Sequence, residues 1–109
     1  MDLAKKKCVP CEGGTLPLTS EEASILLSQL VTGWSIDLDV KTISKIFSFK
    51  TFLDAIRFVN EVARLAEKEG HHPDMIITYN KVTLHLTTHA IKGLSENDFI
   101  LAAKIDAIS

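Results

Sequence analysis

The chain has 109 residues and a mass of 12.0 kDa, enough for one domain with one hydrophobic core and too little for two. Hydrophobic residues make up 46% and charged residues 24%, the balance of a soluble globular protein, and the formal charge of −2 supplies no basic field for sequence-independent nucleic-acid binding. No apolar run approaches the ~20 residues of a membrane helix, and the lysines near the N-terminus have no apolar stretch behind them, so no secretory signal is read and a cytoplasmic protein is expected.

Residues 1–18 read as a weakly ordered arm, punctuated by Pro10, Gly13, Gly14 and Pro17. The arm holds both cysteines of the chain, Cys8 and Cys11, as a lone C-x-x-C. A reducing compartment argues against a structural disulfide there. The arm offers no second Cys/His pair to complete a zinc site, and the motif does not open a helix after a strand as a thioredoxin-like site would. No dedicated role is assigned to the pair.

The domain proper spans residues 19–109. Thr19-Ser20-Glu21-Glu22 is a capping box, and Ile25, Leu26, Leu27 and Leu30 continue it as a helical stripe that Gly33 ends. Trp34 to Leu38 is apolar at every second position, the period of a half-buried strand. After the polar Asp39-Val40-Lys41, Thr42 to Phe49 resumes alternation with Ile43, Lys45, Phe47 and Phe49 on one side, which predicts a hairpin.

Residues 51–69 predict the longest helix. Thr51 caps it, Phe52, Ile56, Val59, Val62, Ala63 and Ala66 recur at helical spacing, and Gly70 stands where a left-handed C-terminal residue is wanted. His71-His72-Pro73 leaves that helix, and Pro73 prevents its continuation. Met75–Tyr79 and Val82–Thr88 predict a second hairpin with Asn80-Lys81 at its turn. Ser95-Glu96-Asn97-Asp98 then opens a final helix bearing Phe99, Leu101, Ala102, Ile105 and Ile108. The order helix-strand-strand-helix-strand-strand-helix implies an α+β domain, a four-stranded antiparallel sheet with three helices packed on one face. The other face is left open, and the strand edges invite pairing with a second subunit.

All four histidines fall between residues 71 and 89. The second hairpin returns His89 beside His71 and His72, and a cluster of side chains that titrate near neutral pH suits proton transfer or metal binding. Three imidazoles can hold zinc. Adjacent histidines in a loop rarely aim both rings at one ion, however, and the helical His pair with an intervening Glu is absent, so proton transfer without metal is the better reading. His85 shares the open sheet face with Thr83 and Thr87 and is left out of the site. Glu67 lies four residues before His71, close enough near a helix end to meet and orient its ring. Asp98 fits either a supporting carboxylate or half of a cap. Trp34 fits either core or the wall of a pocket for a flat ligand.

Glu67-x-x-x-His71-His72-Pro73, five residues to Tyr79, nine to His89 and eight to Asp98 resemble the signature of the pterin-4a-carbinolamine dehydratases. The resemblance covers nearly all of residues 19–109, including Gly33-Trp34, and leaves the cysteine-bearing arm outside. It implies the same four-stranded fold and dehydration of 4a-hydroxytetrahydrobiopterin to quinonoid dihydropterin and water, recycling the pterin cofactor of aromatic amino-acid hydroxylation. It further implies a pterin substrate, no metal or redox cofactor, and a homodimer or homotetramer. By resemblance His71, His72 and His89 are catalytic, Glu67 and Asp98 supporting, and Trp34 substrate-binding. The alternative is a non-enzymatic pterin- or protein-binding module of the dimerisation-cofactor type known among animal members. No residue here identifies a surface for such a partner, and retention of all three histidines argues against it.

Overall fold

The computed structural model describes residues 3–9 and 15–109. In chain order these form α1 (Ser20–Leu27), β1 (Ser35–Ile36), β2 (Ile43–Ser48), α2 (Phe52–Glu69), β3 (Asp74–Thr78), β4 (Lys81–Leu86) and α3 (Glu96–Ile108), with short 3-10 turns at Leu3–Lys5 and His89–Ile91. The strands make one antiparallel sheet in the order β1-β2-β4-β3. This is the α+β architecture expected from the sequence.

The interior strand β4 organises the core. Its alternate residues Val82, Leu84 and Leu86 have no exposed surface, and their cross-strand partners Phe47, Met75 and Ile43 share the inner face because paired residues point the same way. Helix α2 lays Ala55, Phe58, Val62 and Ala66 across that face, at spacings of three and four residues that align them in one stripe. The buried stripe is rotated from the expected one, since Phe52 is 47% exposed and Phe58 takes its place against Phe47 and Phe49, with ring centroids 4.7 and 5.0 Å away. Helix α3 is apolar on more than one side. Phe99, Leu101, Ala102 and Ile105 are all fully buried, because the helix is covered by the turn at Leu3–Lys5, by α2 and by α1. Full burial of each large side chain stabilises by about 1.5–3 kcal/mol.

Two elements end sooner than their patterns suggest. The α1 capping box forms, with the Glu22 amide donating to Thr19 Oγ1 at 3.2 Å and the Thr19 amide to Glu22 Oε1 at 2.9 Å. The helix stops at Leu27, where the Ser28 hydroxyl donates back to the Ile25 carbonyl at 2.6 Å, and Ile25 itself faces solvent. Strand β1 has two residues rather than five. The Asp37 carboxylate accepts the amides of Lys41 and Thr42 at 2.8 and 3.0 Å, which folds the chain into a turn and leaves Leu38 wholly exposed.

Lys45 projects from the inner face of β2, opposite Leu84. Its ammonium reaches Asp106 of α3 at 2.8 Å, and the same carboxylate accepts the Trp34 indole N–H at 2.9 Å. Trp34 is therefore a core residue with its one polar atom satisfied. Among the described residues no helix is long and apolar enough to cross a membrane.

Of the expected arm, Leu3–Val9 lies against α3. Leu3 is in the core, and Lys104 donates to the Ala4 carbonyl at 2.9 Å. Leu18 rejoins the domain through a hydrogen bond from its amide to the Leu94 carbonyl at 2.8 Å. There Pro17 comes so close to Gly93 that a Cβ on the glycine would sit 2.6 Å from the proline ring. Cys11 lies outside the described residues.

Candidate active site

The C-terminal end of α2 supplies the first two histidines. Gly70 takes a left-handed conformation (φ 67°), which closes the helix through its amide to the Ala66 carbonyl at 2.9 Å. The chain thereby turns out of the helix axis, and His71 swings towards the N-terminus of α3. His71 Nε2 lies 2.6 Å from Asp98 Oδ1, with the carboxylate completely buried and the ring largely so. His72 stays on the outer side, its Nε2 2.8 Å from Glu67 Oε1 in an exposed pair.

Asp98 is the node of the site. Its Oδ2 accepts the Thr88 hydroxyl at 2.8 Å and the Ser95 amide at 3.0 Å, the second being the reciprocal half of the α3 capping box. Thr88 Oγ1 also meets the Ser95 hydroxyl at 2.7 Å; because the Thr88 proton goes to Asp98, Ser95 is the donor in that contact. With these donors at Oδ2, the other oxygen of the carboxylate is left to face His71 Nε2. The buried polar atoms of this network are all satisfied.

His89 arrives from the other direction. It opens the 3-10 turn after β4, where Thr88 pairs with Gly93 and Lys92 adopts a left-handed conformation (φ 56°) to reverse the chain. His89 is exposed and makes no ion pair with a carboxylate among the described residues.

His71, His72 and His89 line one cavity of about 380 Å³. Thr87, Thr88 and Asn97 complete its polar lining, and Val9 of the arm stands at its side. The volume lies at the small end of the range for ligand pockets. Among the described residues no three His, Cys, Asp or Glu side chains are grouped as a metal-binding set.

The residues expected in the site are thus brought together in part, and with different partners. Glu67 meets His72 rather than His71, because the left-handed turn at Gly70 breaks the helical i,i+4 geometry before His71. Asp98 serves as cap and as histidine partner at once, and the ring it meets is that of His71. Trp34 does not line the cavity; its indole is held by Asp106 in the core. His85 sits on the open sheet face, paired in register with Ser44 and Asp74, away from the cavity. Residue pattern marks Ser95 only as a helix cap, and it does not signal Thr88, Asn97 or Val9. Thr88 alone carries a clue, as a polar residue in the last buried position after β4.

Cys8 behaves as a neutral thiol. Burial first, and then the Glu69 carboxylate, push its pKa from 9.0 up to about 12, and its Sγ–H donates to the Asn97 carbonyl at 3.6 Å.

The family model described as "Pterin 4 alpha carbinolamine dehydratase" matches residues 16–108. A relative from Nitrosomonas eutropha, named "Putative pterin-4-alpha-carbinolamine dehydratase", is 54% identical over 107 residues, 98% of this chain and 93% of its own. A relative of the same name from Halorhodospira halophila is 48% identical over 99% of this chain and 98% of its own. Both alignments run through the arm. The crystal structure of a transcriptional coactivator/pterin dehydratase from Brucella melitensis superposes with a TM-score of 0.79 at 37% identity, covering 84% of this chain and 97% of that one.

Proposed function

The chain belongs to the pterin 4 alpha carbinolamine dehydratase family, a family of hydro-lyases, and from that premise we propose that it removes water from 4a-hydroxytetrahydrobiopterin by histidine acid–base catalysis. The observation that carries the reading is the placement of His71, His72 and His89 around one cavity from two separate segments.

The reaction needs two proton movements. The C4a–O bond breaks with its electron pair going to oxygen, which leaves as water once a ring bearing both protons supplies one. The N5–H proton passes to a ring lacking one, and its bonding pair becomes the C4a=N5 bond of the quinonoid product. The donor has then lost a proton and the acceptor gained one, so exchange with water resets both. Each such transfer is worth about 10²–10⁴ in rate.

The carboxylates give the rings different freedoms. Asp98 fixes the plane and tautomer of His71 from a buried position, so that ring meets ligand in one orientation. Glu67 steadies His72 from solvent, where such a pair is weak. His89, without a carboxylate, exchanges protons with water directly. Thr87, Thr88 and Asn97 give the cavity polar walls, with the Thr88 hydroxyl already engaged by Asp98 and Ser95 and the Asn97 amide by Val9.

Self-association is part of the reading. Strands β1 and β3 are both sheet edges, and Ile76, Ile77 and Tyr79 at or beside β3 are exposed, the arrangement that a homodimer or homotetramer would cover. Light scattering on the purified protein tests it. The catalytic proposal is tested by following loss of water from a 4a-hydroxytetrahydropterin, with and without chelator. Turnover that persists in chelator supports it; no acceleration over buffer overturns it.

A further inference from the structure

The arm does more than pack on the domain. Leu3 is buried in the core, Lys104 holds the Ala4 carbonyl, and Lys6 pairs with Glu96 at 3.1 Å. At its far end the contacts become specific. The Cys8 amide donates to Glu69 Oε1 at 3.0 Å, and the Val9 amide donates to Asn97 Oδ1 at 3.0 Å while Asn97 Nδ2 donates back to the Val9 carbonyl. The Asn97 side chain thus holds both backbone polar groups of Val9, as a neighbouring strand would. These two anchors flank the catalytic geometry. Glu69 stands two residues before His71 at the end of α2, and Asn97 is the neighbour of Asp98 in the first turn of α3. The arm therefore crosses the seam between the two helices that hold the His71–Asp98 pair, and Val9 faces the cavity with the three histidines. The family model begins at residue 16 and does not describe this wall.

We propose that the Leu3–Val9 segment presents Val9 as a built wall of the ligand cavity that sets affinity for the pterin, with Glu69 and Asn97 as the positioning residues that hold it there. The proposal rests on the dehydratase reading for the identity of the ligand, though not for the existence of the wall. Glu69 is the informative residue, because its side chain is 7% exposed, lies 3.9 Å from the Lys104 ammonium and does not line the cavity, and amide exchange at Cys8 and Val9 reads whether an effect on ligand runs through the arm. A flat substrate bound against one missing wall loses contact in the ground state and the transition state alike, which raises KM and spares kcat.

The test compares the full-length protein with Glu69→Ala and Glu69→Gln. The glutamine keeps an acceptor for the Cys8 amide; the alanine does not. Three quantities are read: amide exchange at Cys8 and Val9, KM and kcat for a 4a-hydroxytetrahydropterin, and the rate at which diethyl pyrocarbonate modifies His71. Glu69→Ala is expected to speed exchange, raise KM about fivefold with kcat within about twofold, and expose His71 to faster modification, while Glu69→Gln stays near the parent protein. Faster exchange at Cys8 and Val9 with unchanged KM and unchanged His71 modification overturns the proposal. If Glu69→Ala does not fold, Lys104→Met, at a residue that does not line the cavity, is read the same way. That change removes the donor to the Ala4 carbonyl and keeps the aliphatic stem. If the parent protein dehydrates no pterin, the function proposed above falls and the wall is decided by the His71 modification rates alone.

Discussion

His71 Nε2 and Asp98 Oδ1 are 2.6 Å apart, and the carboxylate has no exposed surface. This contact joins the end of α2 to the start of α3 across 27 residues, so the orientation of the His71 ring and the capping of a helix depend on one side chain. Asp98→Asn tests both. An amide can accept at one atom only, and its NH2 group would face either His71 or the Thr88 and Ser95 donors. We expect turnover to fall by about 10²-fold or more and stability by about 2–4 kcal/mol, since a buried charged network is broken on one side. Urea unfolding and steady-state turnover measure the two separately, and full activity in this variant would remove Asp98 from the mechanism.

His72 and His89 are solvent-exposed and hold no core contacts, so their removal should separate chemistry from folding. His72→Ala and His89→Ala are each expected to lower kcat by about 10²–10⁴-fold with unfolding free energies within about 0.5 kcal/mol of the parent. His85→Ala, on the open face of the sheet, should leave turnover unchanged. Parental rates in both of the first two variants would sink acid–base catalysis by these rings; a large loss in the third would place the site elsewhere.

Much of this arrangement is legible in the sequence where the governing contacts are local. The Thr19/Glu22 and Ser95/Asp98 boxes and Gly70 mark helix ends through interactions a few residues long, and the alternation of Val82, Leu84 and Leu86 marks an inner strand face. Legibility fails where a distant partner decides. Lys45 blurs the alternation of β2 until Asp106, 61 residues later, is seen to meet it. The i,i+4 rule pairs Glu67 with His71 only if the helix continues, and Gly70 ends it, handing Glu67 to His72 instead. Leu38 is apolar and in phase with its strand, yet the Asp37 side chain bends the backbone first. No pattern in residues 3–9 announces that Val9 stands beside three histidines, since its anchors at Glu69 and Asn97 lie 60 and more positions away.

The Cys8 thiol offers a pH test. Its folded pKa is raised to about 12 from an ordinary 9.0, chiefly by burial and then by Glu69. A raised acid pKa means that the folded state holds the proton more tightly than the unfolded chain. The contribution to stability is therefore complete below about pH 9 and is lost as pH climbs towards about 12. In a Cys11→Ser background, alkylation of Cys8 by iodoacetamide at pH 8 is expected to be slow when folded and to accelerate in urea, because the thiolate is the reactive form. Across pH 9 to 11 the parent should lose more stability than Cys8→Ser. Rapid alkylation of the folded protein at pH 8 would show that the thiol is neither shielded nor held neutral.

The Lys45–Asp106 pair separates the worth of an ion pair from the harm of breaking one. Both side chains are nearly buried, at 15% and 9% exposure, and Lys45 lies over the Phe47 ring with its Nζ 4.8 Å from the centroid. Lys45→Met keeps the aliphatic stem and its packing but leaves the Asp106 carboxylate with the Trp34 indole and no cation, at an expected cost of about 3–5 kcal/mol. Adding Asp106→Leu removes the stranded charge, and a well-packed apolar pair should recover most of that loss, less about 1–3 kcal/mol for the indole N–H left without its acceptor. The double-mutant cycle should therefore show strong positive coupling between the two positions. Additive losses in urea unfolding would mean that Asp106 is better hydrated than its burial indicates, and that Trp34 is held in place by apolar packing rather than by its hydrogen bond.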